Sequence, residues 1–365
     1  VVMLHEGLSG NRNWVVNVEN FSFQDTLAQF DDIPSSYALD YVASNTDLIG
    51  LLGTNVQSAM RHFFETGYYE GRDADNWDEW SYLASHRDLI RAFGADTDAA
   101  TRHYVRYGFN EERVEDRFDE WSYLASNTDV LNAIGGNGAA AARHYVEQGH
   151  NAGLELDSFD EWSYLASYGD LIRAFGTNGA AATRHYVTNG YNEGRMEDDF
   201  DEWSYLASYG DLIRAFGTNG AAATRHYVTN GYNEGRVEDN FDEWSYLASY
   251  GDLIRAFGAN GAAATRHYVT FGYNEGRQKD DFDENLYIAS NTDLIDQFRL
   301  DRSGAAQHYV EVGYGLGLET DTFDAQQYLD NYADLQAAFG ADLDRATLHF
   351  IRYGFDEGRT DDVLT

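Results

Sequence analysis

Three polar side chains return every 41 residues along this 365-residue chain: a tyrosine, an aspartate and a histidine. In the fourth and fifth copies they are Tyr164, Asp170 and His185, then Tyr205, Asp211 and His226. Such residue types could build an acid–base site or a metal centre. A metal centre needs three or four ligands, whereas each copy offers one recurring histidine and the chain holds no cysteine. Catalysis repeated in every copy would be unusual. The better reading is a buried hydrogen-bond network in which the aspartate caps a helix and the histidine bridges two segments.

A glutamate and an arginine two residues apart form a second pattern, as in Glu193/Arg195 and Glu234/Arg236. Six copies carry the pair; the third has Ala152 and Leu154 instead, and the seventh has Leu316 and Leu318. Joint loss points to one coupled interaction, and the apolar replacements place it at a partly buried contact between repeats or between molecules. Acids cluster at the junctions: Glu197, Asp198, Asp199 and Asp201, then Glu238, Asp239 and Asp242. Clustered carboxylates suit calcium, so these are the candidate calcium ligands, although neither an EF-hand loop nor a glycine-rich nonapeptide calcium repeat is present. The competing reading is a solvated seam of helix-capping acids. Trp162 and Trp203 belong to a tryptophan series that could stack on sugars, or could pack between repeats. Two further motifs are accidental. His86-Arg87-Asp88 lacks the asparagine of a kinase loop, and Gly136-x-Gly138 follows no strand of a dinucleotide fold.

The elements that must position these residues follow from the repeat. Copies begin at Ser36, Trp77, Phe118, Phe159, Phe200, Phe241, Phe282 and Phe323, giving repeats 36–76, 77–117, 118–158, 159–199, 200–240, 241–281, 282–322 and 323–363. The fourth and fifth differ only at Met196/Val237 and Asp199/Asn240. Within the fifth, Asp201 reads as an N-cap, with Phe200 and Tyr205 at staple spacing. Ser208 and Asp211 read as a capping box for a second helix ending at Gly217. Asn219 opens a third helix with Gly231 as its C-cap, before the acidic linker 237–240. The period is helical, so the expected fold is all-α: tandem 41-residue helical repeats, a solenoid or helical string. Each repeat would bury its apolar stripe against neighbours. Residues 1–35 differ: Trp14, Val16 and Val18 alternate with Asn13, Val15 and Asn17, predicting an extended or β-like arm. That arm either caps its own array or pairs with a neighbouring molecule.

Composition narrows the function classes. Acids number 62 against 25 Lys+Arg, a formal net charge of −37, and Lys279 is the one lysine. This field disfavours nucleic acid and anionic membranes. Absence of cysteine removes disulfides and thiolate chemistry. No apolar run reaches the roughly eighteen residues of a membrane span. Val1 opens the chain without the pattern of a secretion signal, so a signal is expected to be processed off or placed elsewhere. Hydrophobic content of 43% and aromatic content of 15% specify a folded chain.

The pattern Tyr-Leu-Ala-Ser-x-x-Asp-Leu-Ile-x-Ala-Phe-Gly (Tyr205 to Gly217), followed by Ala-x-x-His-Tyr-x-x-x-Gly-x-x-Glu-Gly-Arg (Ala223 to Arg236), resembles tandem repeats of bacterial extracellular and envelope proteins. Similar repeats sit beside calcium-binding secretion modules and polysaccharide-related glycosyltransferases. The resemblance spans 36–363, departs in the third and seventh repeats and at Glu112, and supplies no catalytic residue. It implies an extracellular or cell-surface bacterial protein. The leading expectation is a non-enzymatic structural protein that self-associates into a filament, sheath or surface layer, requires no cofactor, and responds to calcium through its linkers. The alternative is an adhesin-type module binding surface polysaccharide or protein.

Overall fold

A computed structural model of the chain describes residues 2–6, 12–16 and 35–364. Strands β1 (Val2–Glu6) and β2 (Arg12–Val16) pair antiparallel, with Leu4 opposite Trp14. The alternation at Trp14 and Val16 thus marks a strand whose partner lies in the same arm; Val18 falls outside the described residues. Beyond the arm, regular structure among the described residues is helical throughout, in a 41-residue pattern.

The fifth repeat shows why these residues make these elements. Asp201 adopts an extended N-cap conformation and its carboxylate accepts from the amides of Trp203 and Ser204, starting the first helix, Glu202–Ser208. Phe200 packs on Tyr205 with ring centroids 5.6 Å apart, as the staple spacing requires. The expected capping box is absent. Ser208 is still inside the first helix, and its hydroxyl donates back to the carbonyl of Ser204. Tyr209 occupies the N-cap of the second helix, Gly210–Phe216, without a side-chain cap bond. Gly217 ends that helix with φ of 60°. Asn219 then caps the third helix, Gly220–His226, by accepting from the Ala222 amide.

Gly231 is not the C-cap. The third helix widens into a π-helix, Tyr227–Gly231, and the left-handed turn comes at Gly235, with φ of 72°. In the second repeat the equivalent turn residue is Glu112, at φ of 56°. A β-carbon in that conformation costs about 1 kcal/mol or more, and the Glu112 side chain makes no hydrogen bond or ion pair among the described residues. Glu112→Gly is therefore expected to raise stability by about 1 kcal/mol, read as a shift of the urea midpoint at constant m. An unchanged midpoint would show that Glu112 sits there without strain.

The chain forms two compact units, residues 1–161 with 179–197, and 162–178 with 198–365. Within each, one rule holds: the first helix of a repeat packs on the third helix of its own repeat and on that of the next. The interleaved division follows from this rule, because the third helix of repeat four packs on the first helix of repeat three. A first helix so covered is sealed: Tyr205, Leu206 and Ala207 have no accessible surface. Burying one such leucine contributes about 2 kcal/mol, and part of its cover is the third helix of the next repeat. That dependence makes the array cooperative between neighbours only.

Candidate functional site

The recurring tyrosine and histidine meet. Tyr205 Oη lies 3.0 Å from His226 Nδ1, and the same bond forms in seven repeats at 2.8 to 3.1 Å. Repeat four is divided between the two units, with Tyr164 and Asp170 in one and His185, Glu193 and Arg195 in the other. Burial pushes the tyrosines up, Tyr123 and Tyr287 to about 12, and pushes His103, His267 and His349 down. In those three repeats burial favours the neutral imidazole, which can accept from the phenol at Nδ1. Held this way the phenol is a poor nucleophile, and the bond serves to lock the first helix onto the third.

Gly231 completes the lock. A β-carbon there would overlap the Tyr205 hydroxyl, and the equivalent Gly67, Gly108, Gly149, Gly272, Gly313 and Gly354 meet their own tyrosines alike. The π-helix carrying this glycine recurs in every repeat. Isolated π-bulges often mark functional sites; one built into all copies, wrapped around a buried tyrosine, belongs to the architecture.

The recurring aspartate does not cap. Asp211 receives both terminal nitrogens of Arg236, at 3.1 and 2.9 Å, while Arg236 Nε reaches Glu234 at 2.7 Å. The guanidinium also lies over the Tyr209 ring, 4.7 Å from its centroid. Arg195 makes the same Nε bond to Glu193 at 2.7 Å. Aspartate, arginine and glutamate are one cluster, which accounts for the joint loss seen in the sequence. The expected location is corrected: these pairs close one repeat on itself, between the start of its second helix and its final turn, and do not bridge repeats. The arginine and its acids remain 21% and about half exposed, so each pair contributes well under 1 kcal/mol.

The linker acids satisfy backbone. Asp201 and Asp242 cap first helices. Glu197 accepts from the amide of Asp160, Glu238 from that of Asp201, and Asp239 from that of Phe241. The Asp199 amide donates to Ser167 Oγ, a tie that most other repeats make at the same spacing. Asp198 lies in the same linker. Among the described residues no group of three or more His, Asp or Glu side chains is arranged to hold a metal ion. The acids do crowd one another: burial and neighbouring carboxylates raise Glu238 and Glu243 above the usual carboxylate range. A raised folded-state pKa means the ionised form costs stability at neutral pH, a cost relieved as pH falls through that value. Glu243→Gln should then stabilise by about 0.5 kcal/mol at pH 7, discounted for its partial exposure, and the gain should fade as pH drops into the carboxylate range. A gain independent of pH would remove charge crowding as its cause.

The tryptophans pack between repeats. Arg225 lies over the Trp162 ring and Arg266 over that of Trp203, 5.0 and 5.3 Å from the centroids, each arginine coming from the next repeat. Arg143 and Arg184 cover Trp80 and Trp121 in the same way. A sugar-stacking ladder at Trp162 and Trp203 would need faces that these guanidinium groups occupy.

One ion pair escaped the sequence reading. Glu284 is 1% exposed, accepts from Ser245 Oγ of the preceding repeat at 2.8 Å, and binds Arg302 at 2.6 Å. Its signal was Arg302 replacing the small residue found at this position in the central repeats. No family model, curated protein or solved structure matches this chain.

Proposed function

We propose that this chain is a non-catalytic repeat scaffold on the outside of a bacterial cell, which acts by presenting the exposed faces of its repeats. One observation carries the reading. The recurring polar groups are mostly consumed in internal bonds, the tyrosine on the histidine in seven repeats and, in repeats one, two, five, six and eight, the aspartate on the arginine. No single repeat adds a distinct acid, base and nucleophile to them.

Self-association into a filament, sheath or layer remains the first form of this reading, but repeat eight argues against growth by simple continuation of the array. The position of Ala248 and Ala289 on the first helix, buried in repeats one to seven, carries exposed Asp330 in repeat eight. The buried Ile254 position carries exposed Gln336, and the tryptophan position carries Gln326. Both glutamines donate to Asp330. A further copy packed on repeat eight by the same rule would have to bury that polar cluster. Assembly would then use lateral faces. Sedimentation and electron microscopy of the wild type and of the triple variant Gln326→Trp, Asp330→Ala, Gln336→Ile test this. The wild type should form lateral assemblies at high concentration, and the variant should add head-to-tail chains. A wild type monomeric at every concentration, with and without millimolar calcium, would sink self-association. The same samples test the calcium expectation: calcium should raise the melting temperature more than sodium chloride of equal ionic strength, and equal effects would reduce it to screening.

A further inference from the structure

The geometry points to a guanidinium-binding seat in repeat three, left open by the loss of its own arginine. Repeat one supplies the template. There Asn45-Thr46-Asp47 stand where repeat three has Asn127-Thr128-Asp129. Asn45 ties the carbonyls of Tyr41 and Asp73 at 2.8 and 2.7 Å; Asn127 ties those of Tyr123 and Glu155 at the same distances. The asparagine that anchors the seat is therefore tied alike in both repeats, although Asp47 stands in a 3-10 turn and Asp129 in the first turn of an α-helix. In repeat one the seat is filled: Arg72 Nη1 lies 2.9 Å from both Asp47 oxygens. In repeat three Arg72 and Glu70 are replaced by Leu154 and Ala152, and a cavity of about 350 Å³ opens in their place. Asp129, Asn127, His144, Gln148, Ala152 and Leu154 line it. Asp129 has no hydrogen bond or ion pair among the described residues.

Charge explains why the pair is lost together and what the open seat attracts. A filled seat holds aspartate, glutamate and arginine, one net negative charge. Removing the arginine alone would leave two carboxylates; removing both leaves Asp129 with the same single charge. That carboxylate is exposed at the rim of the cavity, at the position where Asp47 of repeat one holds Arg72. Leu154 and Ala152 give the methylene stem of an incoming side chain an apolar lining, and a planar guanidinium fits a carboxylate better than an ammonium does. The occupant is an exposed arginine of a partner protein. The inference deepens the scaffold reading and rests on it only for the source of that arginine, because the seat can be titrated whether or not the chain assembles.

The test is an NMR titration of the full chain with a doubly blocked arginine, N-acetylarginine methylamide, against the matching citrulline and lysine compounds. Saturable shifts in the millimolar range are expected at Asp129, His144 and Leu154, several-fold weaker with lysine and absent with citrulline. Asp129→Asn should abolish them. So should the double variant Ala152→Glu with Leu154→Arg, which fills the seat with the residues its siblings carry and therefore keeps the fold. Shifts that persist in the filled variant, that citrulline reproduces, or that spread without saturation over acids in every repeat would overturn the seat, and leave the scaffold reading to its own sedimentation test.

Discussion

Replacing Tyr246 by alanine is expected to destabilise its repeat by about 3–5 kcal/mol, the range for emptying a buried aromatic site. The ring has no accessible surface and touches Phe241, Tyr250 and Tyr268 at centroid distances of 5.5, 5.5 and 5.2 Å. Its hydroxyl is 2.9 Å from His267 Nδ1. Tyr246→Phe keeps the ring and removes only that bond, so its expected cost is about 1 kcal/mol. Because stability in a repeat array is local plus nearest-neighbour, the loss should appear in hydrogen exchange of repeats five to seven before it reaches repeats one and two. If the phenylalanine variant loses as much as the alanine variant, the hydroxyl–imidazole bond holds the repeat, and the ring packing is secondary.

The second large effect is expected at Arg302. Truncating it to alanine leaves Glu284, 1% exposed, with Ser245 as its remaining side-chain partner. Stranding a buried carboxylate costs about 3–5 kcal/mol; with Arg302 itself half exposed and water able to approach, about 2–3 kcal/mol is the expectation. Adding Glu284→Gln should restore most of the loss, because an amide still accepts from Ser245 and carries no charge. Urea unfolding of the four proteins of the double-mutant cycle measures the coupling. A coupling near zero would mean that Glu284 tolerates its burial without the arginine, and that repeats six and seven are joined by apolar packing alone.

The glycines show how much was legible before the structure. In seven repeats two stand four residues apart at the end of the third helix, and either could supply the left-handed turn. Only the second does: Gly235 has positive φ, and repeat two tolerates Glu112 at that place at the price of strain. The first, from Gly67 to Gly354, is glycine in all eight repeats, and in seven of them a β-carbon would meet the buried tyrosine. That difference in tolerance was visible in the sequence. Its cause was not, since nothing within a few residues of Gly231 announces Tyr205, 26 positions earlier.

The same division runs through the site. The sequence by itself determined the 41-residue unit, its helical period, the caps Asp201 and Asn219, the stop at Gly217, and the kinship of the glutamate with the arginine. These are signals read within one or two helical turns, where spacing alone decides which groups can meet. The tertiary structure alone decided that Asp211 serves Arg236 instead of a helix end, that Tyr205 finds His226, that the third helix opens into a π-turn, and that an arginine of the next repeat covers each central tryptophan. Those partners lie 21 to 63 residues apart. Bringing them together depends on how three short helices fold back and stack on the next copy, a geometry fixed by the summed burial of whole repeats.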